Sequence, residues 1–199
     1  GQGVIVAKVF VSWTVGSSGG SGWGMTTVDV TLADGDVVTV RVPARPPKPR
    51  IHWIRRRELA AMWLESMSQS PSPERVEALA PFVGRYRTGS PMHRIASGLV
   101  AQNELPTAER VEEIFLIKLA QKRRQELRAE SLVQDPQAAL AAITEHWGEH
   151  GRGPKWRDLA DTLGINLRML EPVLKELKKR QIVHFTTEPG SLRATSIAP

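Results

Sequence analysis

The chain has 199 residues, of which 41% are apolar, and this is enough for one medium-sized domain or two small ones with a hydrophobic core. It contains no cysteine, which excludes a disulfide framework, a thiolate nucleophile and a cysteine zinc site. The formal net charge of +6 favours a polyanionic partner such as nucleic acid, and the abundance of Arg, Ala, Pro and Gly is typical of a high-GC, actinobacterial genome.

The composition of the first 24 residues indicates that they do not belong to the folded domains. An apolar stretch over residues 4–11 is followed by glycines and serines over residues 16–22, a composition typical of flexible linkers. Met25 resembles a natural start, so residues 1–24 are predicted to be an extension, a fused peptide or translated upstream sequence; the alternative is a native first strand with a glycine-rich loop. Because no secretory signal and no run of eighteen apolar residues is visible, we expect no membrane partner and a cytoplasmic location.

Residues 28–42 are predicted to form a β-hairpin. Apolar and polar residues alternate from Val28 to Leu32 and again from Val38 to Val42, which is the period of strands with one buried face. The Asp34-Gly35 pair between them favours a tight turn. Four prolines and three cations over residues 43–50 then form a stiff connector, because proline fixes φ and lacks an N–H donor. The connector is expected to end the sheet.

Four helices are predicted after the connector from apolar residues at three- and four-residue spacing. Their predicted ranges are 53–67, 74–83, 91–102 and 107–130. The apolar side of the first includes Met62 and Trp63, and that of the fourth includes Phe115 and Leu127. The charged stretch 118–128 is predicted to be solvated. Residues 25–130 thus form a predicted β-hairpin plus helical domain, whose residues 53–130 offer a surface for a homodimer or a protein partner.

A second domain is predicted over residues 136–199 from the order of its elements. These elements are, in order, helices over 137–149, 156–163 and 167–180 and strands over 182–187 and 191–195. Gly164 suits the left-handed C-cap of the second helix, and Ile165-Asn166 makes the turn. The Pro189-Gly190 pair marks the tip between the strands.

The stretch from Trp156 to Asn166, WRDLADTLGIN, resembles the helix-turn of bacterial winged-helix regulators of the GntR and MarR kind and of the DNA-binding domain of the LexA repressor. The resemblance covers about a third of the chain and implies a C-terminal winged helix with a two-stranded wing, whose third helix enters the major groove while turn and wing contact phosphates. In the winged-helix proteins that this stretch resembles, the position of Asn166 caps the third helix. Carried over residue by residue, it implies these DNA-binding residues: Lys155, Trp156, Arg157, Asn166, Arg168, Lys175, Lys178, Lys179 and Arg193.

The predicted reading face departs from what DNA recognition prefers. Leu167 and Met169 offer no hydrogen bond to a base edge, and Glu171 is repelled by phosphate. Pro172 is predicted to end or kink the helix unless it lies in the first turn. These features keep open an alternative function, a protein–protein interaction module or a subunit of a larger assembly, in which the exposed Leu167, Met169 and Trp156 contact protein.

Two further groups lie outside this resemblance. A basic cluster of Arg50, Arg55, Arg56 and Arg57 is a possible second nucleic-acid patch, and the alternative is a solvated face of the first helix. The pair His146 and His150 has a spacing that suits a metal but lacks a third ligand, so solvated histidines at a helix end are expected.

The chain shows no phosphate-binding glycine loop, nucleophile elbow or paired-carboxylate motif, so we expect no enzyme activity, no cofactor and no metal. The predicted fold class is mainly α (α+β), with an N-terminal β-hairpin, a helical middle region and a C-terminal winged helix. The predicted function is that of a non-enzymatic DNA-binding protein, a transcriptional regulator whose partner is double-stranded DNA.

Overall fold

The computed structural model describes residues 25–43 and 53–196. The expectations for residues 1–24, for the proline-rich connector and for Arg50 lie outside these ranges. Contacts divide the chain into two compact units, Gly1–Ala120 and Gln121–Pro199, here called the first and the second unit. The described residues are mainly helical, with an antiparallel hairpin near the N-terminus, so this part of the expected fold class is confirmed.

The first strands and helices are β1 (Met25–Thr31), β2 (Val37–Pro43), α1 (Trp53–Ser66), α2 (Pro73–Leu79), α3 (Pro91–Ala101) and α4 (Ala108–Gln134). The remaining elements are α5 (Gln137–His150), α6 (Trp156–Leu163), α7 (Leu167–Lys179), β3 (Val183–His184) and β4 (Arg193–Ala194). The predicted second helix is shorter than expected, because Pro81 cannot donate the next helical hydrogen bond and Ala80–Phe82 form a 3-10 turn instead. No helix within the described residues is long and apolar enough to cross a membrane.

The β1–β2 hairpin packs its apolar face on the N-terminal half of α4. The strands pair antiparallel, with Val28 opposite Val40 and Val30 opposite Val38. Leu116 and Ala120 of α4 are buried against this face. Gly35 in the connecting turn has a φ of +88°, a conformation that favours glycine. The alternation in the sequence therefore predicted both the strands and their buried side.

Helices α1, α2 and α3 complete the core of the first unit. Ala60 and Leu64 of α1 are fully buried, and the indole N–H of Trp63 donates to Ser97 Oγ at 2.9 Å. The expectation for Met62 was wrong, since its side chain is 61% exposed. The core contacts of α1 come from a neighbouring stripe that contains Ala60, Trp63 and Leu64, which turns Met62 toward solvent.

The second unit is built around α7. Its Leu170, Leu174 and Leu177 are fully buried and pack with Ile143 of α5 and Leu159 of α6. Strands β3 and β4 pair antiparallel but contain only two residues each, fewer than predicted. The loop between them is closed by side-chain hydrogen bonds, in which Ser191 Oγ donates to the Glu188 carbonyl at 2.7 Å, and these replace a longer ladder.

The C-terminal half of α4 belongs to the second unit and contacts the turn between α6 and α7. Gln125 accepts from the Asn166 N–H at 2.9 Å, and both Gln125 and Arg128 donate to the Gly164 carbonyl, at 3.3 and 2.7 Å. The expectation that residues 118–128 are solvated was wrong for Ala120, which is fully buried, and holds for Arg128, which is exposed although it also bonds to the turn. Leu127, expected on the apolar side, is 45% exposed, because this part of the helix contacts the turn through polar groups.

Candidate functional site

Helix α7 presents a long exposed face, and the turn that leads into it is fixed locally. Gly164 ends α6 with a φ of +64°, and the side chain of Asn166 accepts from the Met169 N–H at 2.9 Å, so both predicted caps are confirmed. The buried stripe of α7 takes up one side only. The exposed residues of α7 are Leu167, Arg168, Glu171, Pro172, Lys175, Lys178 and Lys179.

Pro172 does not end α7, which continues to Lys179. A proline inside a helix costs about 3 kcal/mol, because it clashes with the preceding turn and leaves the carbonyl four residues earlier, here that of Arg168, without its donor. Burying each of Val173, Leu174 and Leu177 contributes about 1.5–3 kcal/mol in the opposite direction. The helix continues past Pro172, in agreement with the predicted range 167–180, because tertiary burial outweighs the cost of the proline.

Replacing Pro172 with alanine is expected to stabilise the second unit by about 1–3 kcal/mol, because the Arg168 carbonyl regains its helical donor while no buried contact is lost. Urea denaturation of the whole chain, followed by tryptophan fluorescence, measures this difference. Glu171→Ala at the neighbouring exposed position is the control and is expected to change stability by less than about 0.5 kcal/mol. A Pro172→Ala variant no more stable than this control contradicts the account of α7.

Five of the predicted DNA-binding residues carry charges that are not neutralised by another side chain. Lys155, Arg157, Arg168 and Lys179 are exposed, and Arg193 is partly exposed. Within residues 25–43 and 53–196, none of these five side chains forms an ion pair. They lie at the start of α6, at both ends of α7 and on β4. The second unit thus offers several cations to an outside partner.

The other predicted cations of α7 are engaged within the second unit. Lys175 Nζ lies 2.7 Å from Glu171 Oε1, so this exposed pair contributes no net charge. Lys178 Nζ donates to the Phe185 carbonyl at 2.6 Å and lies 4.4 Å from the centroid of the Phe185 ring. Lys178 therefore ties the β3–β4 loop to α7, a contact that spacing along a helix could not reveal.

Trp156 differs from its expected exposed position. Its ring is partly buried and meets the ring of Phe185 edge to face, with centroids 5.1 Å apart and planes at 87°. Edge-to-face aromatic contacts of this kind stabilise by about 0.5–1.5 kcal/mol beyond the area they bury. Trp156 is therefore part of the protein's own packing, and it also lines a cavity beside the β3–β4 loop.

The β3–β4 loop is held against the connection between α5 and α6. The Gly153 N–H donates to the Gly190 carbonyl at 2.7 Å, and the indole N–H of Trp147 donates to the Leu192 carbonyl at 2.7 Å. A cavity of about 460 Å³ lies between this loop and the start of α6. Its lining consists of Pro154, Lys155, Trp156 and the loop residues Phe185–Leu192.

The arginines of the second predicted basic patch differ in how far they can contact a partner. Arg57 Nε lies 2.8 Å from Glu77 Oε2 and its Nη2 lies 3.1 Å from Oε1, so this arginine is paired in a bidentate manner. Arg56 is partly buried, and Arg55 is exposed. A role for these residues in nucleic-acid binding stays a prediction.

The histidine pair of α5 lies close together. The ring centroids of His146 and His150 are 4.3 Å apart. Among the described residues, no group of three or more His, Cys, Asp or Glu side chains is placed to hold a metal ion.

In comparisons with known proteins, no family model, no curated protein and no solved structure matches this chain. The exposed cations and the cavity described above both lie in the second unit.

Proposed function

We propose that the chain is a non-enzymatic DNA-binding protein, acting as a transcriptional regulator, and that α5, α6, α7 and the β3–β4 hairpin form a winged helix-turn-helix. The observation that carries this proposal is the set of five cations without ion pairs within the described residues of the second unit: Lys155, Arg157, Arg168, Lys179 and Arg193. Cations of this kind release counterions when they contact phosphates, which supplies most of the affinity for DNA.

The dimensions of α7 suit the major groove. Arg168 lies in the first turn of the helix and Lys179 at its end, about 16 Å apart along the axis. The major groove is about 12 Å wide, so Arg168 can reach base edges while Lys179 contacts the flanking backbone. An arginine can donate two hydrogen bonds to guanine, which is a common specific contact.

The pairing of Glu171 removes one objection to this surface. An unpaired carboxylate in the middle of α7 is repelled by phosphate, but the Lys175 ammonium lies 2.7 Å from it. The exposed face of α7 is therefore positive at its ends and close to neutral at its centre. Leu167 at the first position of the helix can contact a thymine methyl group rather than form a hydrogen bond.

Neutralising Arg168 is expected to weaken binding to a mixed-sequence duplex by about five-fold or more, since a base contact by arginine contributes about 1–3 kcal/mol. Fluorescence anisotropy with a labelled duplex at low ionic strength measures the affinity of Arg168→Gln. The control is Arg87→Gln, which removes the same charge at an exposed position of the first unit with no ion pair in the described ranges. Equal affinities of the two variants, or no binding by the unaltered protein, contradict the proposal.

A second candidate function is a protein-interaction module. The observation that favours it is Leu167, whose apolar side chain is 42% exposed at the start of α7. Leu167→Ala separates the two candidates, because a DNA reader is expected to lose less than about three-fold in duplex affinity. A protein module is expected to lose its partner with this variant and to keep it when Arg168 is changed.

A further inference from the structure

The cavity beside the β3–β4 loop shares Lys155 with the five cations proposed to contact DNA, but none of its other lining residues belongs to that set. Its volume of about 460 Å³ lies within the range of about 300–1,000 Å³ that is usual for small-ligand sites. All its lining residues belong to the second unit, between Pro154 and Leu192. It is large enough for one planar ring with its substituents.

One wall of the cavity is apolar and firmly held. Trp156 and Phe185 meet edge to face in this wall, and Pro154 and Leu192 are buried beside them. Lys178 fixes Phe185 from the side of α7 by its hydrogen bond of 2.6 Å to the Phe185 carbonyl. These contacts hold Trp156 and Phe185 in place, and Trp156, which is only partly buried, is the ring on which a flat ligand can stack.

The two charged side chains that line the cavity, Lys155 and Glu188, have opposite signs. Lys155 and Glu188 are both exposed, and neither forms an ion pair with any other side chain in the described part of the chain. A simple anion is attracted by Lys155 but repelled by Glu188, and a simple cation meets the reverse. The ligand that satisfies both groups has an anionic end, an aromatic ring and N–H donors.

A nucleotide has this combination of groups. We propose that the cavity binds an unpaired nucleotide, with the phosphate at Lys155, the base against the Trp156 and Phe185 wall and base N–H groups donating to Glu188. Guanine is the preferred base, because its N1–H and N2–H groups are adjacent and match the two oxygens of a carboxylate. Thymine offers a single N–H and is expected to bind more weakly.

The source of the nucleotide is either a DNA strand or the free nucleotide. A nucleotide that belongs to a DNA strand rests on the proposed function. In that case the protein is expected to prefer DNA ends or gaps with an unpaired deoxyguanosine over continuous duplex. In a strand, aromatic side chains are the usual platform for unpaired bases, and nearby cations follow the backbone. The free nucleotide shares the same chemistry and does not require any duplex binding.

The experiment compares a blunt duplex with the same duplex carrying one unpaired deoxyguanosine or thymidine at the 5′ or 3′ end. By anisotropy, we expect one of the two deoxyguanosine overhangs to bind at least five-fold more tightly than the blunt duplex, and the thymidine overhangs to give a smaller gain. Glu188→Ala is expected to abolish this gain, measured as the ratio of the affinities for the overhang and the blunt duplex within the same variant. Glu145→Ala, which removes an exposed carboxylate of α5, is the matched control and is expected to keep the gain.

A second arm uses guanosine monophosphate alone, with saturation-transfer NMR as the readout. If guanosine monophosphate binds the unaltered protein but not Glu188→Ala, the nucleotide site is supported even when the blunt duplex does not bind. A failure of the proposed DNA binding is thus distinguished from a failure of this site. Absence of both the overhang gain and guanosine monophosphate binding overturns the proposal. An aromatic dipeptide that binds where guanosine monophosphate does not also overturns it, and assigns the cavity to a protein partner.

Discussion

Replacing Gly153 with alanine is expected to destabilise the second unit by about 3 kcal/mol, the upper end of the usual cost of overpacking. A β carbon at this position would overlap the carbonyl oxygen of Leu192 and lie 2.8 Å from that of Gly190. Both obstacles are backbone atoms, so no side-chain rotation can relieve them. Moving the β3–β4 loop away would break the hydrogen bonds of Gly153 to Gly190 and of Trp147 to Leu192.

Urea denaturation of the whole chain measures the effect, and Gly148→Ala provides the matched control. Gly148 lies in α5, where an added β carbon meets nothing within 4 Å. The same substitution there is expected to stabilise the protein by about 0.5–1 kcal/mol, because alanine is the better helix former. A Gly153→Ala variant as stable as the unaltered protein would show that the loop does not pack on the α5–α6 connection.

Replacing Leu174 with alanine is expected to lower the free energy of unfolding by about 2–5 kcal/mol. Its side chain is fully buried in α7 among residues of α5, α6 and the β3–β4 hairpin, so truncation leaves a cavity. Thermal or urea denaturation gives the size of the loss. The effect tests which side of α7 faces the core, and hence which side is left for a partner.

Leu167→Ala is the control within the same helix. Leu167 is 42% exposed, so removing the same atoms is expected to cost less than about 0.5 kcal/mol. If the two leucines cost the same, or Leu167 costs more, α7 is rotated relative to the orientation described, and Arg168 no longer belongs to an exposed face.

Much of the second unit could be predicted because its signals are local. The caps at Gly164 and Asn166 depend on conformations and hydrogen bonds within three residues, and the buried leucines of α7 recur at helical spacing. The contacts of Gln125 and Arg128 with the α6–α7 turn could not be predicted in this way. They join residues 36 to 41 positions apart through polar side chains, which leave no periodic pattern.

The candidate site shows the same division. The exposed cations Lys155 and Arg168 follow from their places beside helix starts. Trp156 and Lys178 were expected to face a partner, yet both contact Phe185, a residue of the loop whose position depends on the whole unit. The cavity at that loop likewise depends on tertiary packing, so no sequence motif predicted it.

DNA binding through the second unit is tested most directly by the association constant for a duplex, measured over a series of salt concentrations. Each phosphate contact contributes about −0.9 to the slope of log K against log salt concentration. The five cations without ion pairs in the described residues therefore predict a slope of about −3 to −5. A slope near zero, or no binding at about 50 mM salt, would contradict DNA binding by this surface.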